Sequence, residues 1–88
     1  MDVTILLGSS SDLPIAQKCT KILEHFDVPY QLRVASAHRS PKFVEQIVGD
    51  AIDDGCSVFI AMAGLAAALP GAVAALTTKP VIGVPCGG

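Results

Sequence analysis

Tryptophan is missing from this chain of 88 residues, and one tyrosine and three phenylalanines are its only other large rings. A core without large rings must be filled by Val, Ile, Leu and Ala. With 51% of residues hydrophobic, that is the composition of a parallel sheet covered by helices. Cysteine is scarce and odd in number: Cys19, Cys56 and Cys86 show neither CxxC nor Cys/His ligand spacing. Neither a disulfide framework nor a zinc site is indicated, and a reducing, cytoplasmic setting is expected. Basic blocks are absent and the formal net charge is −2, which argues against nucleic acid as a partner, because neutralising a phosphate backbone needs clustered Lys and Arg. Long apolar runs are absent too. The longest, around residues 58–69, is too short and too broken by glycine to span a bilayer, and no leader pattern is seen, so a soluble protein is expected. A chain of this size builds one core at most, which makes residues 1–88 a single domain.

What is present alternates strands with helices. Residues 3–7 form a run, apolar but for Thr4, ended by Gly8, the pattern of a strand buried on both faces. Ile15, Ala16, Cys19, Ile22, Leu23 and Phe26 recur at helical spacing, with Asp12 placed to cap and Pro14 in the first turn, so a helix is predicted over residues 13–26. After Asp27-Val28-Pro29, the alternation of Tyr30, Leu32 and Val34 suits an outer strand ending near Ala35. Pro41 opens a second helix with Phe43, Val44, Ile47, Val48, Ala51 and Ile52 facing inward, closed by Asp53-Asp54-Gly55. A third apolar strand over 58–62, a short Ala-rich helix after Pro70 and a fourth strand over 81–84 complete a βαβαβαβ order. Such alternation implies right-handed crossovers and a parallel sheet with helices on both faces. In the strand order 2-1-3-4, ligands settle outside the carboxyl ends of the strands where the order reverses, and the loops at 8–12, 36–40 and 63–71 all fall on that edge.

Three loops carry candidate chemistry. Gly8-Ser9-Ser10-Ser11-Asp12 follows a buried strand and opens a helix, so backbone N–H groups, hydroxyls and the helix dipole converge where an anion would sit; an ordinary capped turn is the plainer alternative. Ser36-Ala37-His38-Arg39 places a titratable imidazole beside a permanent cation, the one suited to proton transfer and the other to bidentate phosphate binding. The small residues of 63–71 bring backbone close to a ligand, or simply pack a helix tightly on the sheet. His25, mid-helix beside Glu24, reads as a solvated residue, and Pro80 and Pro85 mark strand limits.

Taken in order, GSSSD, SAHRSP, AGLAAALPG and PVIGVP resemble the N5-carboxyaminoimidazole ribonucleotide mutase family of purine biosynthesis, also called the catalytic subunit of phosphoribosylaminoimidazole carboxylase. The resemblance runs through all 88 residues. It implies a flavodoxin-like three-layer αβα sandwich that assembles into a homo-octamer. It also implies a small-molecule substrate, an aminoimidazole ribonucleotide derivative, and carboxylate transfer from the exocyclic nitrogen to carbon 4 of the ring without cofactor or metal. By matching positions, Ser9, Ser11 and Arg39 would hold the ribose phosphate, Asp12 would contact the ribose, Ser36 would line the pocket, and His38 would shuttle the proton at carbon 4. Ala63, Gly64 and Leu69 of the third loop would complete the substrate-binding set.

The third loop, ending Ala-Ala-Ala-Leu-Pro-Gly, is closer to the mutase branch, usually Ala-Ala-His-Leu-Pro-Gly, than to the branch that uses free carbon dioxide. Ala68 stands where that branch commonly has histidine, which removes a polar group from the loop closing over the ligand. The chain is also shorter than the family pattern, so a fifth strand, a further pocket loop and a C-terminal helix are expected to be missing, leaving an open edge and apolar surface at the fourth strand. Direct carboxylation, or a relative that binds a phosphorylated ligand without turning it over, are the alternatives. A flavodoxin-type electron carrier would need aromatics flanking its flavin, and a receiver domain would need an acidic residue where the third strand here ends in Ala-Gly.

Overall fold

A computed structural model describes residues 1–37, 39–64 and 68–86. The elements are β1 (Val3–Leu7), a 3-10 turn (Ser10–Asp12), α1 (Leu13–His25), β2 (Tyr30–Val34), α2 (Pro41–Asp53), β3 (Val58–Ala63), α3 (Leu69–Ala74) and β4 (Val81–Pro85). All pairings are parallel in the order β2-β1-β3-β4. This is the expected flavodoxin-like arrangement, with the order reversing between β1 and β3. Two backbone conformations help to close the helices: Asp27 after α1 has φ +55° and Gly55 after α2 has φ +87°. Both lie in the left-handed region, which glycine enters freely and aspartate tolerates better than most residues.

Apolar side chains divide by strand parity. Val3, Ile5 and Leu7 of β1 join Ala16, Met62 and Cys86 beneath α1. Leu6 points the other way and joins Phe59, Ala61 and Ala63 beneath Val44, Ile47, Val48 and Ala51 of α2 and Leu69 and Val73 of α3. The strand is therefore covered on both faces, as a run apolar but for Thr4 requires. Thr4 is fully buried and its hydroxyl accepts the Gln31 side-chain amide at 3.0 Å, which satisfies both groups.

Four residues of the expected apolar helix faces lie outward. On α1, Ile15, Ile22 (60% exposed) and Phe26 (70% exposed) lie on the surface, whereas Ala16 and Thr20 are buried and Cys19 and Leu23 partly so. At 3.6 residues per turn, the first trio sits roughly 100° round the helix from the buried stripe. The opposite flank, with Gln17, Lys21 and Glu24, borders Tyr30 and Leu32 of β2, so the exposed trio overhangs the β3 side. There Ile82 of β4 is 53% exposed, and no other described helix covers that half of the face. The apolar arc of α1 is wider than the sheet beneath it. On α2, Phe43 is likewise 40% exposed, and its ring lies 5.6 Å from the Arg33 guanidinium, a cation–π contact that uses the ring at the sheet edge.

Candidate functional site

Strand pairing continues one residue beyond the strands that carry the loops. Gly8 N–H donates to the Met62 carbonyl (2.9 Å), Ala35 N–H to Leu7 (2.8 Å) and Cys86 N–H to Ala63 (2.7 Å). Each loop thus leaves the sheet from a pinned position at the same edge, and the reversal between β1 and β3 opens a gap there.

The serine loop is organised differently from the sequence expectation. Asp12 does sit at the N-cap position of α1, but its side chain makes no capping hydrogen bond. Instead the 3-10 turn Ser10–Asp12 intervenes, and Ser9 caps it. The Ser9 hydroxyl oxygen accepts the Ser11 N–H at 3.2 Å and lies 2.9 Å from the Ser11 hydroxyl, while the Asp12 N–H donates to the Ser9 carbonyl at 3.1 Å. The extra turn consumes the cap locally and frees the Asp12 carboxylate, which lies against Cys86. Burial, then the charge of Asp12 and a hydrogen bond to it, push the Cys86 thiol above its ordinary value, so the thiol stays protonated.

Across the gap, the Ser36 hydroxyl accepts the Arg39 N–H at 3.2 Å and the Ser36 carbonyl accepts the Ser40 N–H at 2.9 Å. This turn delivers the chain to Pro41 at the start of α2. Among the described residues, the exposed Arg39 guanidinium has no hydrogen-bond or ion-pair partner. Gly8, Ser9, Ser10, Val34, Ser36 and Arg39 together line a concavity of about 410 Å³. It offers hydroxyl groups, loop backbone and one unneutralised cation, a donor set for an anionic group.

Ser9, Ser36 and Arg39 are thus brought together, with Ser11 bonded behind Ser9 and Asp12 just beyond. Ala63 and Leu69 are buried in the core beneath α2 and α3, and Gly64 is half-buried; none of the three lines this concavity. His38 and residues 65–67 lie outside the described residues. Gly8, Ser10 and Val34 are lining residues that the sequence did not single out individually, and Cys86 was missed altogether. Only its place directly after β4, on the ligand edge, could have flagged it. No three His, Cys, Asp or Glu side chains cluster as a metal-ligand set among the described residues, and no helix there is long and apolar enough to cross a membrane.

A doubly wound sheet with a hydroxyl-rich loop and an arginine turn at its switch point defines a flavodoxin-like protein. The model of the AIR carboxylase family matches residues 2–88, and the chain belongs to that family. It is 59% identical over 83 residues to the N5-carboxyaminoimidazole ribonucleotide mutase of Methanocaldococcus jannaschii, covering 94% of this chain and 51% of that protein. Against the probable N5-carboxyaminoimidazole ribonucleotide mutase of Methanobrevibacter smithii the identity is 58% over 83 residues, 94% of this chain and 24% of that protein. The crystal structure of Treponema denticola PurE superposes with a TM-score of 0.87 at 34% identity, over 96% of this chain and 54% of that one. The chain therefore spans about half, or less, of the length of these relatives.

Proposed function

We propose that the chain serves purine biosynthesis as an N5-carboxyaminoimidazole ribonucleotide mutase, moving the carboxylate from the exocyclic nitrogen to carbon 4 of the aminoimidazole ring. The observation that carries this reading is the concavity between the Ser9 and Ser36 loops with its unneutralised Arg39, set in a chain 59% identical over 83 residues to the Methanocaldococcus jannaschii protein of that name. Arg39 and the Ser9 hydroxyl, backed by Ser11, hold the ribose phosphate; Asp12 takes a ribose hydroxyl; Ser36 belongs to the same wall. Ala63, Gly64 and Leu69 support the ring side of the pocket.

The chemistry then needs few groups. The carbamate N–C bond breaks, carbon dioxide leaves, and the nitrogen takes up a proton. Carbon 4 attacks the retained carbon dioxide, a new C–C bond forms, and carbon 4 gives up its proton. One proton is gained and one lost, so a single acid–base group can give the nitrogen its proton and recover one from carbon 4, and His38 is assigned that role from its place in the Ser36–Arg39 turn. Holding the ribonucleotide at its phosphate keeps the ring beside the trapped gas and makes recarboxylation effectively intramolecular. A homo-octamer in the cytoplasm is the assembly that goes with this reading.

The test is conversion of N5-carboxyaminoimidazole ribonucleotide to its carbon 4 isomer by the purified chain, with His38→Asn as the blank. Conversion above the blank supports the mutase. Product formed only from aminoimidazole ribonucleotide and free carbon dioxide means direct carboxylation, and ligand binding without either reaction means a non-catalytic relative.

A further inference from the structure

Arg39 is exposed, and its guanidinium meets no partner among the described residues. Only its backbone is held. The side chain of arginine carries large rotamer entropy, so how much affinity it delivers depends on how firmly its Cα is placed before the ligand arrives. Two hydrogen bonds do that placing, and both end on Ser36: the hydroxyl oxygen accepts the Arg39 N–H at 3.2 Å, and the carbonyl accepts the Ser40 N–H at 2.9 Å. Ser36 is itself anchored, because the N–H of its neighbour Ala35 extends the β1–β2 ladder to Leu7 at 2.8 Å. Sheet, Ser36 and Arg39 form one short mechanical chain.

From this geometry we infer that Ser36 is a positioning residue: its hydroxyl fixes where Arg39 enters the concavity, and its contribution to ligand affinity is delivered through Arg39. The inference rests on the reading that Arg39 holds the ligand's phosphate. It separates the two pocket serines by role. Both hydroxyl oxygens accept a loop N–H, Ser9 from Ser11 and Ser36 from Arg39, but only the Ser36 bond holds the backbone of the pocket's cation.

The experiment measures the Kd of 5-aminoimidazole ribonucleotide, with its dephosphorylated nucleoside as control, for the chain and for Ser36→Ala, Ser36→Thr, Arg39→Ala and Ser36→Ala/Arg39→Ala. Loss of one hydrogen bond is expected to weaken binding about tenfold in Ser36→Ala. The same change should have less than about a twofold effect once Arg39 is gone, since nothing remains for Ser36 to act through. Ser36→Thr keeps the oxygen and should restore affinity. An equal loss with and without Arg39, or no loss with it, overturns the inference. In parallel, exchange of the Arg39 amide proton should quicken about tenfold in Ser36→Ala and stay slow in Ser36→Thr; an unchanged rate in Ser36→Ala overturns the inference whether or not a ligand binds. If the unaltered chain ignores the ribonucleotide, the functional reading fails and the amide rates alone decide the role of Ser36. Should Ser36→Ala fold poorly, Ser36→Cys replaces it, giving similar volume with a weak acceptor.

Discussion

Replacing Ser9 and Ser11 separately by alanine tests the hydroxyl arrangement at the mouth of the pocket. A serine oxygen has two lone pairs and one proton. One lone pair of Ser9 takes the Ser11 N–H, and the 2.9 Å contact between the hydroxyls uses either its second lone pair or its proton. An anion in the concavity, which Ser9 lines and Ser11 does not, selects the first sense, because a lone pair facing a phosphate is repelled. Ser11 then donates to Ser9, and the Ser9 proton is the one left for the ligand. A hydrogen bond to a charged partner contributes about 1.5–3 kcal/mol, so Ser9→Ala should weaken binding of the ribonucleotide roughly 10- to 150-fold. Ser11→Ala removes only the polarising bond behind the donor, and roughly threefold is its expected ceiling. Calorimetric titration gives both Kd values. Thermal melting supplies an independent readout: Ser9 is also the cap of the 3-10 turn, a loss of about 1 kcal/mol that lowers Tm by roughly 4–8 °C in a domain of this size, whereas Ser11→Ala should leave Tm nearly unchanged. A Ser11→Ala chain that loses as much affinity as Ser9→Ala would refute this assignment of protons.

Two further predictions concern the scaffold. Tyr30 is the one tyrosine in a chain without tryptophan, so phenolate absorbance reports on it alone; its hydroxyl donates to Glu24 at 2.9 Å, and that bond to a carboxylate, with burial and the Glu24 charge, raises its pKa above the ordinary 10.0. Its stabilising effect is complete below the unfolded value and is lost as pH rises through the folded one; spectrophotometric titration should find a midpoint above 10, and Glu24→Gln should bring it down. The apolar half-face made by Ile22, Phe26 and Ile82 should drive self-association, so Phe26→Lys with Ile82→Glu should lower the mass seen by light scattering at a given concentration, and an unchanged mass would refute the assignment of that face.

The fold was legible because its signals are local and repeated. The run at 3–7, apolar but for Thr4, the apolar run at 58–62, and turns at Gly8, Pro29 and Gly55 leave little choice but a parallel doubly wound sheet. Burial was less legible. Helical periodicity marks Ile15, Ile22 and Phe26 as apolar, yet whether they are covered depends on the width of the sheet beneath them, which periodicity does not encode. The same holds for Phe43 of α2, whose neighbour Arg33 comes from β2. In the site, the residue types of the serine and arginine loops announced an anion, but their division of labour did not. Asp12 and Ser9 are both good capping residues, and only the backbone shows that the extra turn gives the cap to Ser9 and leaves Asp12 without a capping bond.

The way the site is held explains why its loops and its core should respond differently to substitution. The N–H groups of Gly8, Ala35 and Cys86 extend the ladder past the strands, so the loops inherit their spacing from the sheet, not from contacts among themselves. Ser9, Ser11 and Arg39 are exposed, and Ser36 is only half-buried, so changing them removes little buried surface and acts mainly on the ligand. Leu7 and Met62, whose carbonyls receive two of those ladder bonds, are buried beneath α1. Truncating either leaves a cavity costing about 2–5 kcal/mol, a large part of the stability of a domain this small. It also releases the strand ends from which the Ser9 and Ser36 loops depart. Affinity in this architecture is therefore tuned from the loops, while the distance between the two halves of the pocket is a property of β1 and its neighbours.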